Sequence, residues 1–117
     1  MKFIRTNKII GIHSFVFFGA KYIVIGLLPC KISQLEINSV ILHEIGHFRY
    51  AHHKVRHRSL KQELEADNYV ATKGYAKYLI SYLICFLRSG YCRNKYEIRT
   101  RIWQLINYTA THKDMYG

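Results

Sequence analysis

The sequence predicts an α+β fold, a small N-terminal β-hairpin or three-stranded sheet packed on a bundle of about four helices, forming one domain over 1–117. Three features carry that expectation. β-rich runs fill residues 9–25, two capping-box signatures open helices at mid-chain, and apolar segments of helical length occupy the C-terminal half.

In chain order, the runs 9–18 and 22–25 flank Gly19-Ala20-Lys21, where glycine offers the backbone freedom of a turn, so they read as a hairpin. Gly26 and Pro29 end the β region. Ser33-Gln34-Leu35-Glu36 matches the S-x-x-E box, in which serine and glutamate satisfy free N–H groups of the first turn, and a helix is expected over 34–53. With Ile41 as origin, Ile37, Ile45 and Phe48 fall within about 40° of it at about 100° per residue. That stripe is expected to pack on the sheet, leaving the opposite face for polar chemistry.

Residues 52–58, with His52, His53, Lys54, Arg56, His57 and Arg58, read as an exposed basic turn. Ser59-Leu60-Lys61-Gln62 opens the next helix and Gly74 closes it. The apolar segment 75–87 is too short to cross a bilayer and is expected as a buried core helix. Residues 91–107 form the last helix, with Ile98, Ile102, Trp103, Leu105 and Ile106 as its apolar side.

A hydrophobic fraction of 50% excludes a disordered chain. Eighteen Lys and Arg against seven Asp and Glu give a formal charge of +11, which suits an anionic partner or membrane surface. Nucleic acid is disfavoured as a partner, because the cations are spread along the chain instead of forming one dense stripe. Cys30, Cys85 and Cys92, an odd number without CxxC spacing, read as reduced core thiols. The stretch 9–29 is interrupted by His13, Ser14 and Lys21, so no transmembrane span is expected. Lys2, Arg5 and Lys8 before an apolar run imitate a short signal peptide, but the same residues read well as strands and the chain is expected to be cytoplasmic.

The chemistry is concentrated in His43-Glu44-Ile45-Gly46-His47, an H-E-x-x-H inside the first expected helix. Residues four apart lie one turn from each other on one face, so His43 and His47 can grip a single ion. Glu44 is set aside from that stripe, where it can reach an activated water without binding the metal. Glu63-Leu64-Glu65-Ala66-Asp67 begins sixteen residues past His47. Glu63 can complete a His2Glu set with one tetrahedral position left open, the pattern of catalytic zinc. Asp67, on the same face, can accept the other ring N–H of a histidine, and Ala66 is small enough for close helix packing. Glu65 reads as a surface charge.

H-E-x-x-H followed by E-x-x-A-D resembles the gluzincin metallopeptidases, in particular the family of the CaaX prenyl proteases and the HtpX membrane peptidases, with the soluble minigluzincins closer in size. The likeness extends to Lys21-Tyr22-Ile23-Val24-Ile25 as the strand before the active-site helix and to Arg101-Ile102-x-x-Leu105 as a late R-I-x-x-L. The resemblance implies a minimal zincin core, zinc ligands His43, His47 and Glu63, a general base Glu44, Asp67 bonded to His43, and Arg101 near the site. Where members of that family often carry His-Pro six residues before the arginine, this chain has Lys95-Tyr96. Tyr96, Lys95 and Arg101 are then the candidates for polarising a substrate carbonyl.

The expected function is peptide-bond hydrolysis on a peptide or protein substrate, with an extended substrate pairing against an edge strand, 22–25. A latent form is a variant in which 1–8 or 111–117 covers the cleft and Asp114, His112 or Cys92 offers a blocking ligand. Two alternatives stand beside this. ImmA/IrrE-type repressor peptidases of mobile elements also pair H-E-x-x-H with E-x-x-A, usually with Asn where this chain has Asp67. A basic nucleic-acid or membrane binding module with a structural metal would use closed Cys and His coordination, and no cysteine lies near the motif in sequence.

Overall fold

The computed structural model describes residues 1–54 and 58–113. Its elements are β1 (Lys2–Ile10), β2 (Ile12–Phe17), β3 (Ala20–Leu27), α1 (Gln34–Arg49), a 3-10 turn (His52–Lys54), α2 (Leu60–Thr72), α3 (Ala76–Arg88) and α4 (Lys95–Thr111). The architecture is α+β, a three-stranded sheet with four helices among the described residues.

The expected hairpin is β2–β3, antiparallel, with Ser14 opposite Ile23 and Phe15 opposite Tyr22. The run expected as one strand over 9–18 is broken at Gly11, whose φ of 90° lies in the left-handed region. Upstream of that break is β1, the third strand of the expected three-stranded sheet, whose range and parallel pairing with β3 the sequence does not assign. Its residues are mostly exposed and carry no clean alternation, so its strand character comes from a long-range partner. The sheet order β1-β3-β2 puts residues 22–25 in the central strand. The expected edge role therefore passes from β3 to β2, whose outer side is unpaired among the described residues.

Both capping boxes form. Ser33 accepts from the Glu36 N–H while Glu36 accepts from the Ser33 N–H, and Ser59 and Gln62 repeat the arrangement. α1 stops at Arg49, short of 53, and Ala51 at φ 56° turns the chain into the 3-10 segment. His52, expected on an exposed turn, is only 4% exposed. Arg56 and His57 lie outside the described residues.

The polar face of α1 is the buried one. Ser39, Val40, His43, Glu44, Gly46 and His47 are buried, whereas Ile37, Ile41, Ile45 and Phe48 are half-covered. The apolar stripe still packs against the core, with Lys21 of β3 over the Phe48 ring, while the polar side is covered more completely because α2 lies on it and its groups satisfy one another there. Gly46 makes the approach possible, since a Cβ there would sit 3.1 Å from the Ala66 Cα.

α3 buries Ala76, Leu79, Tyr82 and Leu83 as expected of a core helix. On α4 the buried residues are Ile98, Arg101 and Leu105, whereas Trp103 is 64% exposed and Ile106 is exposed too. That helix is oriented by a buried arginine, which hydropathy places on the wrong side. Cys30 and Cys85, expected as free thiols, form a disulfide linking the segment before α1 to α3 across 55 residues. Sequence spacing says nothing about two positions that only the fold brings together. Cys92 is free and buried in the core. No helix among the described residues is long and apolar enough to cross a membrane.

Candidate metal centre

α1 and α2 meet where His43, His47 and Glu63 point at one another. His43 Nε2 is 2.9 Å from His47 Nε2 and 3.0 Å from Glu63 Oε2, and His47 Nε2 is 3.2 Å from Glu63 Oε1. One donor atom from each of the three fits within a 4.8 Å cluster, so the group can hold a metal ion. Donors on a tetrahedral zinc at about 2.0–2.1 Å stand roughly 3.3 Å apart, so the donors need spread by only a few tenths of an ångström. Two imidazole nitrogens and a carboxylate are the donor chemistry zinc accepts.

Each histidine is held by its other nitrogen. His43 Nδ1 donates to Asp67 Oδ1 at 2.7 Å, and Asp67 is fully buried. Arg101 donates from Nε to Asp67 Oδ2 at 2.8 Å and from Nη2 to Oδ1 at 2.9 Å. Its Nη1 lies 3.5 Å from Glu63 Oε2. Arg101 is thus committed to the carboxylates behind the ligands. His47 Nδ1 meets His52 Nδ1 at 2.8 Å, and His52 Nε2 approaches Glu65 Oε1 at 3.5 Å.

The charges explain how so many polar groups coexist inside the fold. Burial and the Arg101 charge oppose protonation of His43, but the hydrogen bond and charge of Asp67, with the hydrogen bond to Glu63, outweigh them and raise it to about 9. Burial also works against the charged form of Glu63, yet hydrogen bonds from His43 and His47 hold it well below the usual carboxylate range. Asp67 is held low by Arg101 and His43 against the same penalty. Burial and the neighbouring His43 lower His47, which favours the neutral ring a metal requires.

Glu44 stands at the side of this cluster, its Oε2 3.9 Å from His43 Nε2. Ser14 of β2 donates to Glu44 Oε1 and contacts His53 Nε2 at 2.9 Å, while Arg58 Nη2 reaches the same hydroxyl at 3.4 Å. Burial, Arg58 and His47 push His53 down to about 4, so its ring is neutral. The cluster opens on a cavity of ≈ 220 Å³, lined by Glu44, Glu63, Arg101 and Tyr82 together with Ile12 and His13 of β2.

The structure thus unites His43, Glu44, His47, Glu63, Asp67 and Arg101. It does not bring in Tyr96, which is 73% exposed on the first turn of α4, nor Lys95 beside it, also exposed. Their place as cavity-lining side chains is taken by Tyr82 and Arg58. The sequence reading missed Ser14, His52 and His53, whose roles follow from contacts across the fold. Of the expected blocking elements, residues 2–5 pair along β3, Cys92 belongs to the core, and His112 stacks on Tyr108 with ring centroids 3.7 Å apart, while 114–117, Asp114 among them, lie outside the described residues.

No family model, no curated protein and no solved structure matches this chain.

Proposed function

We propose that this protein is a zinc-dependent peptidase that hydrolyses peptide bonds, with Glu44 as general base. The observation that carries the reading is the convergence of His43, His47 and Glu63, of which His43 and Glu63 line a cavity beside a free-edged strand, with a carboxylate that is not a ligand in reach.

A zinc ion there supplies Lewis acidity toward water and toward a substrate carbonyl oxygen. Glu44, steered by Ser14, takes the proton of the attacking water and returns it to the leaving amine. Asp67 and His52 fix the two imidazoles so that Nε2 of each faces the ion. The outer edge of β2 leads into the cavity through Ile12 and His13, and main-chain hydrogen bonds to it would align an extended peptide with modest sequence preference. The Cys30–Cys85 disulfide and the core thiol of Cys92 favour this over a structural metal, since no cysteine is among the cluster's donors.

The test pairs metal content by mass with cleavage of a quenched peptide library. Wild type is expected to bind one zinc and to cleave in a chelator-sensitive way. Glu44→Gln should lose about 10²- to 10⁴-fold in turnover while keeping its metal. A metal-free wild type, or cleavage indifferent to Glu44→Gln, overturns the reading.

A further inference from the structure

The turn joining β2 to β3 presents two phenylalanines to solvent. Phe18 is 95% exposed and Phe17 is 57% exposed, with the two rings packed edge to face at 4.4 Å. Phe18 has a φ of 49° and Gly19 one of 76°, so both central residues of this two-residue turn are left-handed. Asn, Asp or Gly normally occupy the first of those places, because a bulky side chain is strained there. Phe18 is therefore doubly unfavourable in the isolated fold, strained in its backbone and wet in its ring. A contact outside the chain is what would offset both.

The sheet behind the tip continues the surface. Ile23 and Ser14 face the helices, so the alternate residues face away from them. On that outer side Phe15 stacks on Tyr22 at 4.9 Å, Lys2 lies over the Tyr22 ring, and Ile4 flanks Val24. Positive charge lies near the tip as well: the exposed Lys2 is opposite Tyr22, the exposed Lys21 stands two residues past Gly19, and the chain has no acidic residue before Glu36. Aromatic rings that can sit at headgroup depth, with the exposed Lys2 and Lys21 close to the turn, match one environment: the surface of an anionic lipid bilayer.

We infer that this protein docks on anionic membranes through the β2–β3 tip, with Phe17 and Phe18 inserted at the interface and Lys2 and Lys21 on the headgroups. The proposal is independent of the metal centre. It also orients the molecule, since β2 carries the tip at one end and lines the cavity near the other.

The experiment is vesicle co-sedimentation of the full chain with phosphatidylcholine alone and with added phosphatidylglycerol. Binding is expected only with the anionic lipid and should weaken as salt rises. Phe18→Asn is the decisive variant, because asparagine tolerates the left-handed turn: its melting temperature should hold or rise while vesicle affinity falls about tenfold or more. Phe18→Trp in a Trp103→Phe background should shift its emission to the blue on anionic vesicles alone. Absence of wild-type binding, or equal binding by Phe18→Asn, overturns the inference. So does a dimer in light scattering that Phe18→Asn dissolves while vesicles leave it intact, because the tip would then meet a second copy.

Discussion

His47 Nδ1 lies 2.8 Å from Nδ1 of His52, so one candidate ligand is oriented by another histidine instead of by a carboxylate. With His47 donating, the acceptor fixes its tautomer and aims Nε2 at Glu63. His52→Ala should therefore weaken zinc binding about 10- to 100-fold, with His52→Gln recovering part of the loss. Competition against a chromophoric chelator measures it. An affinity unchanged in His52→Ala would remove the positioning role.

Arg101 balances Asp67 and Glu63 in a place where neither can reach water freely. Arg101→Met should cost about 3–5 kcal/mol of stability, because it strands a buried carboxylate. Urea denaturation of the metal-free protein gives the number. The double variant Arg101→Met with Asp67→Asn should recover a good part of it, which distinguishes a stranded charge from lost packing.

The metal-free protein should be most stable near pH 6.5. His43 has a folded value raised to about 9, so its contribution is fully present below about 6.5 and is lost as pH climbs through 9. His53 and His47 are lowered, His53 to about 4, so the unfolded chain binds more protons than the folded one below about 6.5 and stability falls toward acid. Melting curves across pH in the presence of chelator check both slopes. His53→Gln should flatten the acid side and leave the alkaline side in place.

Gly46 tests the helix crossing. A methyl group there meets the Ala66 Cα at 3.1 Å and its carbonyl oxygen at 3.2 Å, both backbone atoms that cannot swing aside. Overpacking of about 1–3 kcal/mol should exceed the roughly 1 kcal/mol that alanine gains in helix propensity. Gly46→Ala is therefore expected to lower the melting temperature and to loosen zinc binding, since α1 and α2 carry the ligands between them. A stabilised variant would show that α2 can shift.

Removing the metal should itself be visible in stability. If Glu63 closes the cluster, added zinc should raise the melting temperature of wild type and leave Glu63→Ala nearly unmoved. Equal shifts in both would place the ion elsewhere.

The chain alone determined the starts of α1 and α2, because capping boxes are local hydrogen-bond patterns, whereas α4, expected over 91–107, runs Lys95–Thr111. It also determined the His43–His47 pair and the Glu63–Asp67 pair, because residues four apart on a helix share a face whatever surrounds them. The hairpin was legible for the same reason. What the tertiary structure decided was everything that depends on partners far along the chain. β1 became a strand by lying parallel to β3, Cys30 met Cys85, and Tyr96 turned away while Tyr82 turned in. The same holds for His52 and Ser14: nothing near them in sequence distinguishes them from surface residues, and they matter because folding buried them against His47 and Glu44. A buried polar group must find a partner, and which one it finds is set by how the elements pack.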